Sequence, residues 1–335
     1  MNSAATAPRN ARPLPSPALR RFAWAVLVYF IAVILWGTLV RATGSGAGCG
    51  GHWPLCNGTI VQHSASASTL IEYTHRIMSG FAFFPVVALL AWTLRSTPRG
   101  HLARLAAAAS VAFTLIEAIL GALLVKLGYT AQSPAPMRPA FLALHLANTL
   151  LLLASLTLTA HLLSRRKGYL RGSVRLVAPF GAAACIFVMM IVGVTGSLAA
   201  LGDTLFPASS LGQALNQDFS PTSGWLVHWR WMHPAVAFVA SIFLIWLLFY
   251  AAQRPAGRTQ GKSGTGAGHW DNRRLSAQVL VLLASVYTLG VLDVVLLAPL
   301  WVQVAHLLGA DTLWASLVVL TARLTVVPVE TGRRE

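Results

Sequence analysis

The sequence predicts an all-α polytopic membrane protein of eight transmembrane helices, arranged as two tandem four-helix bundles. Three observations predict it. Of 335 residues, 56% are hydrophobic and only 10% charged, with mean hydropathy +0.65, whereas a soluble domain carries about 25% charged residues. Eight apolar stretches are each long enough, at about 20 residues, to span the hydrocarbon as a helix. Landmarks in the first half recur in the second at a near-constant offset.

The eight stretches run over 22–40, 71–94, 102–126, 140–163, 176–200, 229–251, 277–298 and 301–322. Helices are expected rather than strands, because a helix satisfies its backbone groups within the segment. Before the first lies a Pro-, Ala- and Arg-rich stretch, residues 1–21, which reads as a disordered cytoplasmic tail. The first helix has no convincing small-residue cleavage site after it and reads as a retained span. The N-terminal unit is expected over 22–163, a cytoplasmic loop over 164–175, the C-terminal unit over 176–322 and a cytoplasmic tail over 323–335. Within the second unit, Gln253 to Trp270 is Gly-, Ser- and Lys-rich and reads as a flexible linker. Asp293 and Pro299 leave only a very short turn between the last two spans.

The net charge of +16 would suggest a nucleic-acid partner in a soluble chain. Its placement gives a different reading. Arg9, Arg12, Arg20 and Arg21, and the basic clusters at 95–104, 165–175, 254–274 and 323–334, lie on one side; they make 20 of the 25 basic residues. Arg41, Arg76, Lys126, Arg138 and Arg230 lie on the other. The positive-inside rule then makes both termini cytoplasmic, and no nucleic-acid role is expected.

The two halves echo each other. Val40 to Ser45 leaves the first span and Val192 to Ser197 the fifth; Glu72-Tyr73-Thr74-His75 opens the second and Arg230-Trp231-Met232-His233 the sixth. Leu144-His145-Leu146 opens the fourth and Ala305-His306-Leu307 the eighth. His75 and His233 are 158 residues apart, His145 and His306 161. Units with an even number of helices make the repeats parallel, related by an axis along the membrane normal.

One histidine in a span is ordinarily a hydrogen-bonded core residue. Four at equal depth, each on an even-numbered span, read otherwise, because ionisable groups in a membrane are costly. Paired imidazoles on facing helices are a usual way to hold a haem iron axially. The duplication pairs His75 with His145 and His233 with His306. His52, His63 and His228, in outer loops, and His101, His161 and His269, near the cytoplasmic face, read as solvated or interfacial.

The symmetry breaks at Glu72, three residues before His75, where the second half has Arg230. A carboxylate beside a haem can act as acid, base or electrostatic stabiliser; an interfacial Glu at a helix start is the plainer reading. Lys126 can snorkel. Glu117 and Asp293 have no assigned partner at this level and could pair with basic groups or relay protons.

Cys49 and Cys56 flank a Gly-Gly-His-Trp-Pro-Leu segment in the first outer loop. In an oxidising compartment a disulfide is the default, as a structural staple or a redox-active pair. A zinc site from Cys49, His52, Cys56 and His63 is a third reading, with irregular spacing. Without a Cys-x-x-Cys-His sequence, c-type haem attachment is not expected. Cys185, in the fifth span, reads as a small core residue.

The run Gly44-Ser45-Gly46-Ala47-Gly48-Cys49, with Trp53-Pro54-Leu55-Cys56-Asn57-Gly58 and then Ile71 to Arg76, resembles the haem A synthase family in its cysteine-containing bacterial branch, over residues 22–322. The resemblance implies a bacterial inner-membrane oxidoreductase that oxidises a ring methyl of haem O to a formyl group, with water as oxygen source, for cytochrome oxidase assembly. It implies Glu72 as catalytic residue, His75 and His145 as axial ligands of the substrate haem O, and His233 and His306 as ligands of a resident haem b. It implies a Cys49–Cys56 disulfide. Haem O synthase, an electron acceptor and membrane lipid are the partners it suggests. Two departures stand out: Pro234 follows His233, and the outer loop 201–227 has no cysteine pair. Other classes that fit the bare residues are a di-haem b-type electron-transfer cytochrome, a thiol-oxidising membrane protein and a tandem-repeat transporter.

Overall fold

The computed structural model describes residues 15–60, 62, 65–131, 133–164, 174–176, 179–253 and 267–328, without the side chains of 174–176, 179, 267–271 and 326–328. The helices are α1 (Pro17–Ala42), α2 (Ala67–Ser96), α3 (Leu102–Lys126), α4 (Arg138–Ser164), α5 (Pro179–Leu205), α6 (Leu211–Phe219), α7 (Trp225–Ala252), α8 (Ala267–Val295) and α9 (Leu300–Thr325). All but α6 are long and apolar enough to cross a membrane, so the chain is a multi-pass membrane protein. Large side chains on their outer faces, such as Phe180 at 87% exposure, have no protein neighbour to cover them, as lipid-facing residues should not.

Most helices begin earlier than the apolar runs, and at α1 and α2 a serine outside the run caps the start. Ser16 accepts the Leu19 N–H at 3.2 Å with Pro17 at the first helical position, and Ser66 does the same for Thr69 at 3.2 Å. Residues 17–21 are therefore helical, not tail; residues 1–14 lie outside the described residues. The linker expected over 253–270 is helical from Ala267, and its residues 254–266 lie outside the description. The loop and tail expected over 164–175 and 323–335 are corrected where they are described: α9 runs on to Thr325, and β1 (Val174–Leu176) pairs antiparallel with β2 (Val326–Pro328). Residues 165–173 and 329–335 lie outside the described residues. The short turn before α9 uses Leu297 and Ala298 at φ 62° and 55°, a left-handed geometry that side chains seldom adopt. Gln303 clasps it, donating to the Ala298 carbonyl at 2.6 Å.

Within α1–α4, neighbours pack as α1 with α2, α2 with α3, α3 with α4 and α4 with α1; within the rest, α5 with α7, α7 with α8, α8 with α9 and α9 with α5. One buried cluster joins α1–α4 with Trp314 and Val318 of α9. A second joins Cys185 of α5 to α7, α8 and α9. The seam between them runs along α1, α4, α5 and α9. There Trp314 donates to the Leu150 carbonyl at 2.9 Å, and Arg41 of α1 donates to the Ala200 carbonyl, Thr204 and Gln303 at 2.8, 2.8 and 2.6 Å. Asp203 and Asp293 lie within electrostatic reach of the same guanidinium. Polar groups sheltered from lipid in this way are satisfied across helices.

Candidate functional site

His75, His145, His233 and His306 stand on α2, α4, α7 and α9, eight, seven, eight and six residues after the first residue of each helix. At 1.5 Å per residue that is about 9–12 Å from the helix start. His75 and His145 lie within electrostatic reach of one another, and so do His233 and His306. Each of these histidines is half-buried. The Nδ1 atoms of His75, His145 and His306 are buried without a hydrogen-bond partner, whereas His233 Nδ1 is 3.1 Å from Thr195 Oγ1.

Each ring is seated against a glycine of the preceding membrane-spanning helix. A methyl group added at Gly37 of α1, Gly196 of α5 or Gly290 of α8 would stand 3.2, 3.0 and 3.2 Å from Cε1 of His75, His233 and His306. At Gly121 of α3 the distance to His145 Cε1 is 3.9 Å, ordinary contact. The same ring edge meets glycine in all four. Four residues before these glycines, one helical turn away, come Val33, Glu117, Val192 and Val286. The departure is Glu117. Its Oε1 lies 3.5 Å from His145 Nε2; Asn148 Nδ2 donates to its Oε2 at 2.5 Å, and Thr149 Oγ1 donates to Oε1. Periodicity on the odd-numbered spans was the signal that could have found it.

Glu72 is buried on α2 and ties the cysteine loop down. Its Oε2 accepts the Cys49 N–H at 2.7 Å, while Arg76 donates to Oε1 from Nε at 3.1 Å and from NH2 at 2.5 Å. Arg76 NH1 also donates to the Leu55 carbonyl at 2.7 Å and to that of His52. Cys49 and Cys56 form a disulfide with Cα atoms 4.4 Å apart, and both are fully buried. Their sulfurs being joined removes the thiolates that zinc would need. Gly48 makes the seat possible: a Cβ there would fall 2.5 Å from the Ser68 carbonyl group. Arg230, at the equivalent place on α7, also holds an outer segment, with opposite charge. It donates to Asp218 Oδ1 from Nε at 2.5 Å, to Gln217 at 2.9 Å and to the Phe206 carbonyl at 3.1 Å, pinning α6.

Pro234 does not displace His233, since α7 continues through it. Of the other histidines, His228 lies in α7, with Nδ1 2.7 Å from the Asp218 carbonyl. His101 and His161 are buried rather than solvated. His101 caps α3, its Nδ1 accepting the Ala103 N–H at 3.1 Å, and burial with Arg104 nearby holds its imidazole below the usual range. His63 and the His269 side chain lie outside the described residues.

In each pair two imidazoles backed by glycine lie within electrostatic reach of one another, a donor set that could hold a haem iron. Among the described residues no group of three or more His, Cys, Asp and Glu could hold a bare metal ion. A profile of the family described as cytochrome oxidase assembly protein matches residues 20–318. Two Thermus thermophilus proteins, one from each of two strains, are named protoheme IX farnesyltransferase; each is 39% identical over 310 residues, 90% of this chain and 48% of the relative. The chain thus spans about half the length of these curated relatives. A Bacillus licheniformis protein named heme A synthase is 35% identical over 141 residues, 42% of this chain and 44% of that protein.

Proposed function

The chain belongs to the cytochrome oxidase assembly protein family, and on that footing we propose that it is a haem A synthase, oxidising a ring methyl of haem O to a formyl group. The observation that carries the reading is the inequality of two otherwise matched histidine pairs. The pair His75 and His145 has one carboxylate, Glu117, 3.5 Å from the His145 ring and another, Glu72, three residues before His75 on the same helix, which fastens the disulfide loop. The pair His233 and His306 has Arg230 and Val286 at the matching positions. We therefore assign substrate haem O to His75 and His145, within the unit 22–163, and a resident haem b to His233 and His306, within 176–322. Thr195 supports that assignment: fixing the second nitrogen of a ligating histidine strengthens its hold on iron.

Converting methyl to formyl with one water as oxygen source releases four protons and four electrons. Resident haem b, when bound, supplies a one-electron path toward an acceptor outside the chain. Glu72 is the catalytic residue in this account. Its carboxylate, bound by the Cys49 amide and Arg76, is oriented on the same face of α2 as His75 and takes up a proton from the reacting side. His75 and His145 orient the substrate ring. Both termini are assigned to the cytoplasm by the positive-inside rule, which puts the disulfide loop on the oxidising side. Haem O synthase is the natural supplier of substrate.

Prenyl transfer is the activity in the name of the Thermus proteins, and this chain covers 48% of each of them. Site assignment is tested by replacing each histidine pair in turn and counting bound haem optically and by EPR. Loss of tightly held haem b from the His233 and His306 variants alone supports the reading. Two equally tight haem b sites would contradict it.

A further inference from the structure

We propose that His145 is built as the exchangeable ligand of its pair, with Glu117 as the positioning residue that receives the imidazole when the substrate haem leaves. The inference rests on the assignment of His75 and His145 to substrate. Two independent features of His145 set it apart from the other three histidines. A methyl group at its glycine, Gly121, would stand in ordinary contact with the ring edge at 3.9 Å, whereas at the other three glycines it would stand 3.0–3.2 Å away, so His145 sits least close to its glycine. Its neighbour one turn before that glycine is a carboxylate 3.5 Å from Nε2, where the others have valine.

The chemistry follows from what a neutral imidazole can do. A ring with its proton on Nε2 can donate to Glu117 but cannot ligate iron through that atom. Ligation through Nε2 puts the proton on Nδ1, which in His145 is buried with no acceptor. Iron and Glu117 therefore compete for one nitrogen, and the competition weakens haem binding by the fraction of time the ring spends on the carboxylate. Glu117 is itself held: Asn148 and Thr149 donate to its two oxygens. Asn148 gives its second amide proton to the Phe113 carbonyl at 2.9 Å, while the single hydroxyl proton of Thr149 is divided between Glu117 Oε1 and the His145 carbonyl, 2.9 Å away. A site that must release a product after each turnover gains from a ligand with a second place to go. A resident site does not, and its rings sit closer against their glycines.

The test uses full-length protein in detergent, loaded with protohaem, with release followed by transfer to excess apomyoglobin. The first-site phase is the one missing in His75→Ala. Glu117→Val installs the residue found on the other three helices, and is expected to slow that phase about tenfold, the scale of outer-sphere effects on metal sites. Glu117→Gln, which keeps shape and hydrogen bonding without the charge, is expected to slow it less. An unaltered low-spin spectrum from the second site reports that each variant is folded. First-site release unchanged or faster in both variants would overturn the inference while leaving the site assignment standing. No phase lost in His75→Ala would instead bring down the assignment, and this inference with it.

Discussion

The carboxylate of Glu72 accepts the backbone amide of Cys49 at 2.7 Å, so the residue beside His75 is also the anchor of the disulfide loop. Binding of the loop and chemistry at the ring are thereby placed on one side chain. Glu72→Gln separates them. The ion pair with Arg76 is lost, but the amide oxygen can still accept from Cys49 and Arg76 keeps its bonds to the His52 and Leu55 carbonyls, so the loop is expected to stay seated and haem content unchanged, while conversion of haem O falls to background. Glu72→Ala also unseats the loop, at about 3 kcal/mol for a broken buried ion pair. Haem extracted from each variant, measured by absorbance and mass, checks both; haem A at the native yield from Glu72→Gln would refute the catalytic assignment.

Gly48→Ala is expected to expose the disulfide. The added methyl would meet the Ser68 backbone at 2.5 Å, and neither side is a flexible side chain that can give way. In the native protein both cysteines are fully buried. Thiol labelling after brief treatment with a mild reductant should be slow in native membranes and at least several-fold faster in the variant. Equal rates would show that the loop does not depend on the close approach.

The glycines give a graded series. Gly196→Ala and Gly290→Ala force the His233 and His306 rings to shift by a few tenths of an ångström, while Gly121→Ala makes only ordinary contact with His145. The first two are expected to change the low-spin EPR signal of the resident haem or lose it; the third should leave every haem signal in place. A uniform response from all three variants would contradict the seating described here.

Much of this was legible in the sequence. Lipid demands long apolar runs, so the eight spans could be read directly. Histidine is costly there, so His75, His145, His233 and His306 stood out. What the runs could not show was set by tertiary contact. Helix ends depended on caps such as Ser16, outside any apolar pattern. The helix α6 and the pairing of Val174–Leu176 with Val326–Pro328 are held by residues far apart in sequence. Glu117 had no partner in sequence because His145, Asn148 and Thr149 come from the next helix, and its meaning needed the four glycines in register. His101 and His161, expected to be solvated or interfacial, are buried because packing at the helix ends covers them.

Thr195→Val removes the Nδ1 partner of His233 without adding bulk. Haem b in the second site should bind about tenfold more weakly, with a shifted midpoint potential, while the first site is unaffected. Titration of the purified protein with protohaem, with redox potentiometry alongside, reads both. An unchanged affinity and potential would mean that the 3.1 Å approach of Thr195 to His233 has no influence on the iron.

The central claim is that the chain changes the haem it binds. Membranes containing this chain together with a haem O synthase should be extracted and the haem weighed by mass spectrometry, with the Glu72→Gln variant alongside. Haem A is expected from the native chain and unaltered haem O from the variant. Haem of unchanged mass from both, with both histidine pairs occupied by haem b, would contradict it and identify an electron-transfer cytochrome instead.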